Sequence, residues 1–134
     1  MTNRERADKL LEEGKEILDE LDGLLGRRSW NLAVRRSQEV VELTLKALLA
    51  EMSVDYPKIH DVAPHFIRVI RARGLNLPAE ALERLEEISA KLAVRRAPAF
   101  YFEATYGEAE ARQAVSDAEE VMGFGSRLLE QIRR

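Results

Sequence analysis

Sixteen of the 21 basic residues in this chain are arginine, with doublets at Arg27-Arg28, Arg35-Arg36, Arg95-Arg96 and Arg133-Arg134. A guanidinium presents a planar fork of donors that matches phosphate oxygens, so a doublet can bind phosphate locally although the whole chain carries a net charge of −3. That net charge argues against indiscriminate coating of nucleic acid. Surface ion pairing of the heat-adapted kind would produce the same arginine richness. Arg95 and Arg96 run directly into an aromatic stretch, Phe100, Tyr101, Phe102 and Tyr106, which holds four of the chain's eight aromatic residues.

Other chemistries find less to work with. The two histidines, His60 and His65, are five residues apart, and neither follows a glutamate by three, the spacing with which helical bundles hold metals. Glu39 and Glu42 share a helix face, but Arg35 and Lys46 sit beside them, so no metal and no cofactor is expected. With no cysteine there is no thiolate nucleophile, no disulfide and no cysteine-ligated metal. Glycine-rich phosphate loops and a GxSxG turn are absent. Acid–base chemistry falls to His60, His65, a tyrosine or a carboxylate, and His60 beside Asp61 at a helix start also reads as a structural capping contact.

The elements that must position these residues are helices. At 134 residues, 46% hydrophobic and 6% aromatic, the chain is expected to form one domain over 1–134, with an all-α core of aliphatic side chains and alanines. No apolar run is long enough for a membrane span and the charged N-terminus is unlike a signal peptide, so a cytoplasmic location is expected. The organising stretch is Ser29 to Met52. On a helical wheel it carries a broad stripe of Trp30, Ala33, Val34, Ser37, Val41, Thr44, Leu45, Leu48 and Met52. Leu32, Leu43, Ala47 and Ala50 form a second apolar side. Between them lies a narrow polar sector of Arg35, Gln38, Glu39, Glu42 and Lys46, in which Glu42 and Lys46 have the favourable i,i+4 order. Gln38, Glu42 and Lys46 are expected to be structural.

The other helices follow from stops and caps. A first helix capped by Thr2 or Asn3 ends by Gly26, and Arg27-Arg28-Ser29 makes a hairpin into the central helix, with Ser29 its N-cap. Asp61 is expected to cap a third helix that carries Pro64 in its first turn and stops at Gly74. A fourth begins at Pro78 and is expected to end at Pro98, with Arg96 continuing its inner face of Leu85, Ser89 and Leu92. The last spans about Glu108 to Ile132. Gly14 and Gly125, on the apolar stripes of the first and last helices, point to contact between those helices.

This order of segments resembles the HEPN domain family. The similarity covers nearly the whole chain and rests on Gln38, Glu42, Leu45, Lys46 and Ala47, on His60-Asp61, and on Arg96, Pro98, Ala99 and Tyr101. It implies an antiparallel four- or five-helix bundle, commonly a homodimer, that works with RNA or nucleotides and is often paired with a small nucleotidyltransferase in toxin–antitoxin systems. Many members are metal-independent ribonucleases that use an arginine followed, after four to six intervening residues, by a histidine. Here that interval from Arg95 or Arg96 contains phenylalanine, tyrosine and glutamate, and no histidine. A tyrosine with its ordinary pKa near 10 is a poor base at neutral pH. The expectation is therefore binding at Arg95, Arg96, Tyr101 and His60, with a divergent ribonuclease using Arg96 with Tyr101, or with a histidine supplied from elsewhere in a dimer, as the enzyme alternative. A structural assembly domain is the third reading.

Overall fold

The Thr2 hydroxyl accepts a hydrogen bond from the Glu5 amide at 3.1 Å and so caps α1, Asn3–Gly26, in the computed structural model, which describes all 134 residues. Arg28 adopts a left-handed backbone, φ 59°, and the chain turns into α2, Trp30–Glu51. Ser29 occupies the N-cap position, but its side chain makes no capping hydrogen bond, contrary to expectation. Three further helices complete the all-helical fold: α3 Ala63–Ala72, α4 Ala79–Tyr101 and α5 Glu108–Arg133. No helix is long and apolar enough to cross a membrane.

Two boundaries differ from the sequence reading. Asp61 does not cap α3; its carboxylate accepts from the Ser89 hydroxyl of α4 at 2.7 Å, and Val62 holds the cap position. Pro64 has no amide hydrogen, and the Ala63 amide that Asp61 would have capped donates to the Ser89 hydroxyl at 3.5 Å instead, so Asp61 reaches the start of α3 only through Ser89. α4 also passes through Pro98 and ends at Tyr101, so Phe100 and Tyr101 belong to the helix and not to a loop. Proline at 98 leaves the Val94 carbonyl without its helical donor. Val94 is 74% exposed, so water can satisfy that carbonyl. The helix closes beyond it through the amides of Glu103 and Ala104, which donate to the Pro98 carbonyl at 3.0 and 3.3 Å, while Phe102 takes a left-handed φ of 54°.

α2 touches all four other helices, as its two apolar sides require. Val34, Val40, Val41, Leu45, Ala47, Leu48 and Leu49 are all essentially inaccessible, and each of the larger ones contributes about 1.5–3 kcal/mol by leaving water. Gly125 of α5 lies against Thr44 of α2, where any Cβ would collide with the threonine methyl. Its close approach is thus to the central helix, not to α1. Gly14 does face α5, with Met122 Cε 3.0 Å from where its Cβ would be. Ion pairs fasten the periphery. Arg133 bridges Glu51 and Asp8, and the fully buried Asp117 takes Arg84 at 3.0 Å and Lys91 at 2.9 Å.

Candidate functional site

The polar sector of α2 is the floor of the site. Gln38 is almost fully buried, and its amide nitrogen donates to Glu42 at 3.0 Å and to the His60 carbonyl at 3.2 Å. The Lys46 ammonium, itself largely buried, lies 2.7 Å from the other Glu42 oxygen. His60 Nδ1, from the segment between α2 and α3, is 2.7 Å from Glu42. Burial alone would push the Glu42 carboxyl up, but hydrogen bonds from Lys46, Gln38 and His60, with the Lys46 charge, outweigh it and hold the group below its ordinary value. Glu42 is therefore ionised and only accepts, so His60 donates from Nδ1 and its Nε2 is the free ring nitrogen.

Arg96 reaches this floor from α4. Its Nη1 donates to Gln38 Oε1 at 3.0 Å and to Glu39 Oε2 at 3.1 Å, and Arg36 holds the other Glu39 oxygen at 2.9 Å. Its carboxylate partner is thus Glu39, on the polar sector of α2. The Nε–H and both Nη2 hydrogens of Arg96 have no acceptor in the protein. That leaves one edge of the guanidinium available for a bidentate contact.

Two clefts open beside this arginine. One, of about 240 Å³, is lined by Glu13, Arg36, Glu39, Glu42, His60 and Arg96, with Ile17 and Leu43. The other, of about 340 Å³, is lined by His60, Ala93, Arg96, Ala97, Phe100 and Tyr101. His60 and Arg96 belong to both, so fold topology brings together two residues that the sequence separates by a whole helix. Phe100 and Tyr101 meet edge to face, ring centres 4.9 Å apart, and Tyr101 is 69% exposed. Arg35 lies over the Phe100 ring at 4.8 Å. Three of the four expected ligand residues, Arg96, Tyr101 and His60, thus share one region. Arg95 does not: it stacks over Tyr106 at 5.5 Å and lines neither cleft. No three metal-ligating side chains converge anywhere in the chain.

Asn31 supports this region and was invisible in the sequence, where it is one polar residue at a helix start. It is 6% exposed; its amide nitrogen donates to the carbonyls of Ala99 and Ala104 at 3.2 and 2.8 Å, and its oxygen accepts from the Tyr106 amide at 2.8 Å. One side chain thereby fixes the end of α4 and the turn into α5, on which Phe100 and Tyr101 depend for position. Glu13 and Arg36, also unassigned beforehand, come from α1 and from the exposed edge of α2.

The helical order agrees with a sequence comparison in which a family model described as the HEPN domain matches residues 7–128. The chain belongs to the HEPN domain family. No curated protein and no solved structure shows significant similarity to it. Membership connects this HEPN chain with nucleotides or RNA in general terms.

Proposed function

We propose that this HEPN protein binds the phosphate and base of a nucleotide or RNA at the Arg96 clefts, without efficient catalysis of its own. The observation that carries the reading is the unengaged Nε/Nη2 edge of Arg96, held by Gln38 and Glu39 beside an exposed Phe100–Tyr101 pair on which a base can stack. Tyr101 contributes a ring face and not a hydroxyl. Action as a homodimer, and pairing with a small nucleotidyltransferase in a toxin–antitoxin system, fit the same surface: Val94, Phe100, Tyr101 and Phe102 are apolar or aromatic and all more than half exposed.

The test is titration of labelled RNA against wild type, Arg96→Ala and Tyr101→Phe, with gel analysis of the same samples. Arg96→Ala should weaken binding by about 1–3 kcal/mol, as for loss of a charged hydrogen-bonding pair, and Tyr101→Phe should change it little. Equal binding by wild type and Arg96→Ala would overturn the reading. A ribonuclease reading is favoured by one feature, the Glu42-held His60 in the same clefts as Arg96, where its free Nε2 could carry a proton. Cleavage by wild type that His60→Ala abolishes would establish it.

A further inference from the structure

At the end of the bundle where α1 begins and α2 stops, a cleft of about 360 Å³ shares no residue with the two beside Arg96. Its polar walls are Asn3 and Arg6 of α1 and Ser53, Asp55, Tyr56 and Lys58 of the segment after α2. Arg6 and Lys58 are exposed, and neither has a carboxylate within 4.0 Å, although Asp55 lines the same cleft. In the smaller cleft between α4 and α5 the lining Arg84 and Glu120 close on each other at 3.0 Å. Here the opposite charges stand apart, with open volume between the walls that carry them. Ser53 adds a further donor. Its amide returns to the Ala50 carbonyl at 3.0 Å and the next amide, of Val54, to Leu49 at 2.9 Å, a helix-ending turn that gives Ser53 a left-handed φ of 60°, which a Cβ disfavours. The Ser53 hydroxyl oxygen accepts from the Asn3 side-chain nitrogen at 3.0 Å, and its hydrogen has no acceptor in the protein.

A guanidinium, an ammonium and a hydroxyl with a spare hydrogen, set on different walls of one recess, suit the tetrahedral oxygens of a phosphate better than the flat pair of a carboxylate. The volume is that of a small-molecule site, so a bare phosphate leaves much of it empty. Asp55 repels a phosphate but accepts from a hydroxyl on the rest of the ligand. We propose that this cleft binds a small hydroxylated phosphate monoester, its phosphate on Arg6, Lys58 and Ser53 and a hydroxyl on Asp55. The cleft is placed to act as an effector site. Lys46 lies over the Tyr56 ring at 5.6 Å and holds Glu42 at 2.7 Å, and Glu42 in turn holds His60 at 2.7 Å. An occupant that fixes Tyr56 and Lys58 therefore acts on the same segment that delivers His60 to the Arg96 clefts.

Nuclear magnetic resonance of the isotope-labelled full chain, titrated with glycerol phosphate, inorganic phosphate and acetate at matched ionic strength, tests this. The Ser53 and Lys58 amides should move saturably, glycerol phosphate should bind several-fold more tightly than inorganic phosphate, and acetate on the order of 10-fold more weakly than either. The double variant Arg6→Ala/Lys58→Ala should keep the wild-type melting temperature and lose about 10-fold in affinity for both phosphates, the effect of removing charged hydrogen bonds at an exposed site. Asp55→Ala should bind inorganic phosphate at least as tightly as wild type and lose the preference for glycerol phosphate. In Arg96→Ala, whose other clefts lack their phosphate donor, the His60 ring signals should still follow occupancy. No saturable movement of Ser53 and Lys58 would overturn the proposal, as would unchanged affinity in the double variant or equal binding of acetate. Phosphate that moves the Arg96 Nε–H alone would place the anion in the clefts already described and overturn it likewise. His60 signals that do not move at saturation in Arg96→Ala would overturn the effector role.

Discussion

Replacing Asn31 by alanine removes three hydrogen bonds at once, two donated to the Ala99 and Ala104 carbonyls and one accepted from the Tyr106 amide. The Ala99 end is sealed, with that residue 3% exposed, whereas Ala104 and Tyr106 are only half-buried and water can reach them. One fully unsatisfied carbonyl and two partly rehydrated groups give a loss of about 2–4 kcal/mol, a large share of the roughly 5–15 kcal/mol that holds a domain folded. Asn31→Asp should cost as much or more, because it keeps the Tyr106 contact but sets a carboxylate against two carbonyl oxygens. Urea unfolding followed by circular dichroism measures both. A loss below about 0.5 kcal/mol for Asn31→Ala would refute the claim that this side chain clamps the end of α4.

Lys46→Met leaves the mostly buried Glu42 carboxylate with Gln38 and His60 but without its cation, so stability should fall by about 1–3 kcal/mol while the folded fraction still binds ligand. Wild-type stability with lost binding would place Lys46 in the site instead. The folded-state carboxyl of Glu42 is held below its unfolded value of about 4.3, so its contribution is complete above that pH and fades as pH falls through the lower folded value. Wild type and Glu42→Gln should therefore differ most in urea titrations near neutrality and converge in acid; a gap that widens in acid would contradict the sign. Gly125→Ala should destabilise through its collision with Thr44, and Thr44→Ser, which removes the colliding methyl, should restore part of the loss in thermal melts.

Local signals made most of the fold legible. The Thr2 cap, the Arg27–Ser29 turn and Gly74, with its φ of 67°, each act on their own few residues and could be read from them. Pro98 misled because whether a proline ends a helix depends on who satisfies the carbonyl four residues before it, and exposure of Val94 is a property of the packed molecule. Asp61 misled for the same reason, its partner Ser89 lying on another helix. At the site, helical spacing was enough to group Gln38, Glu39, Glu42 and Lys46. That His60 and Arg96 converge on that group, while Arg95 turns to Tyr106, depends on how α4 and the α2–α3 segment pack against α2, which no local pattern encodes.

The central claim is that the free edge of Arg96 receives a phosphate beside His60 and the aromatic pair. Nuclear magnetic resonance of isotope-labelled protein, titrated with a short single-stranded RNA and followed at the arginine Nε–H, histidine and aromatic signals, tests it directly. Saturable movement of Arg96, His60 and Tyr101, with Arg84 and Arg133 still in their ion pairs, is the predicted result. Saturable binding that leaves the Arg96 Nε–H signal unmoved would contradict the account.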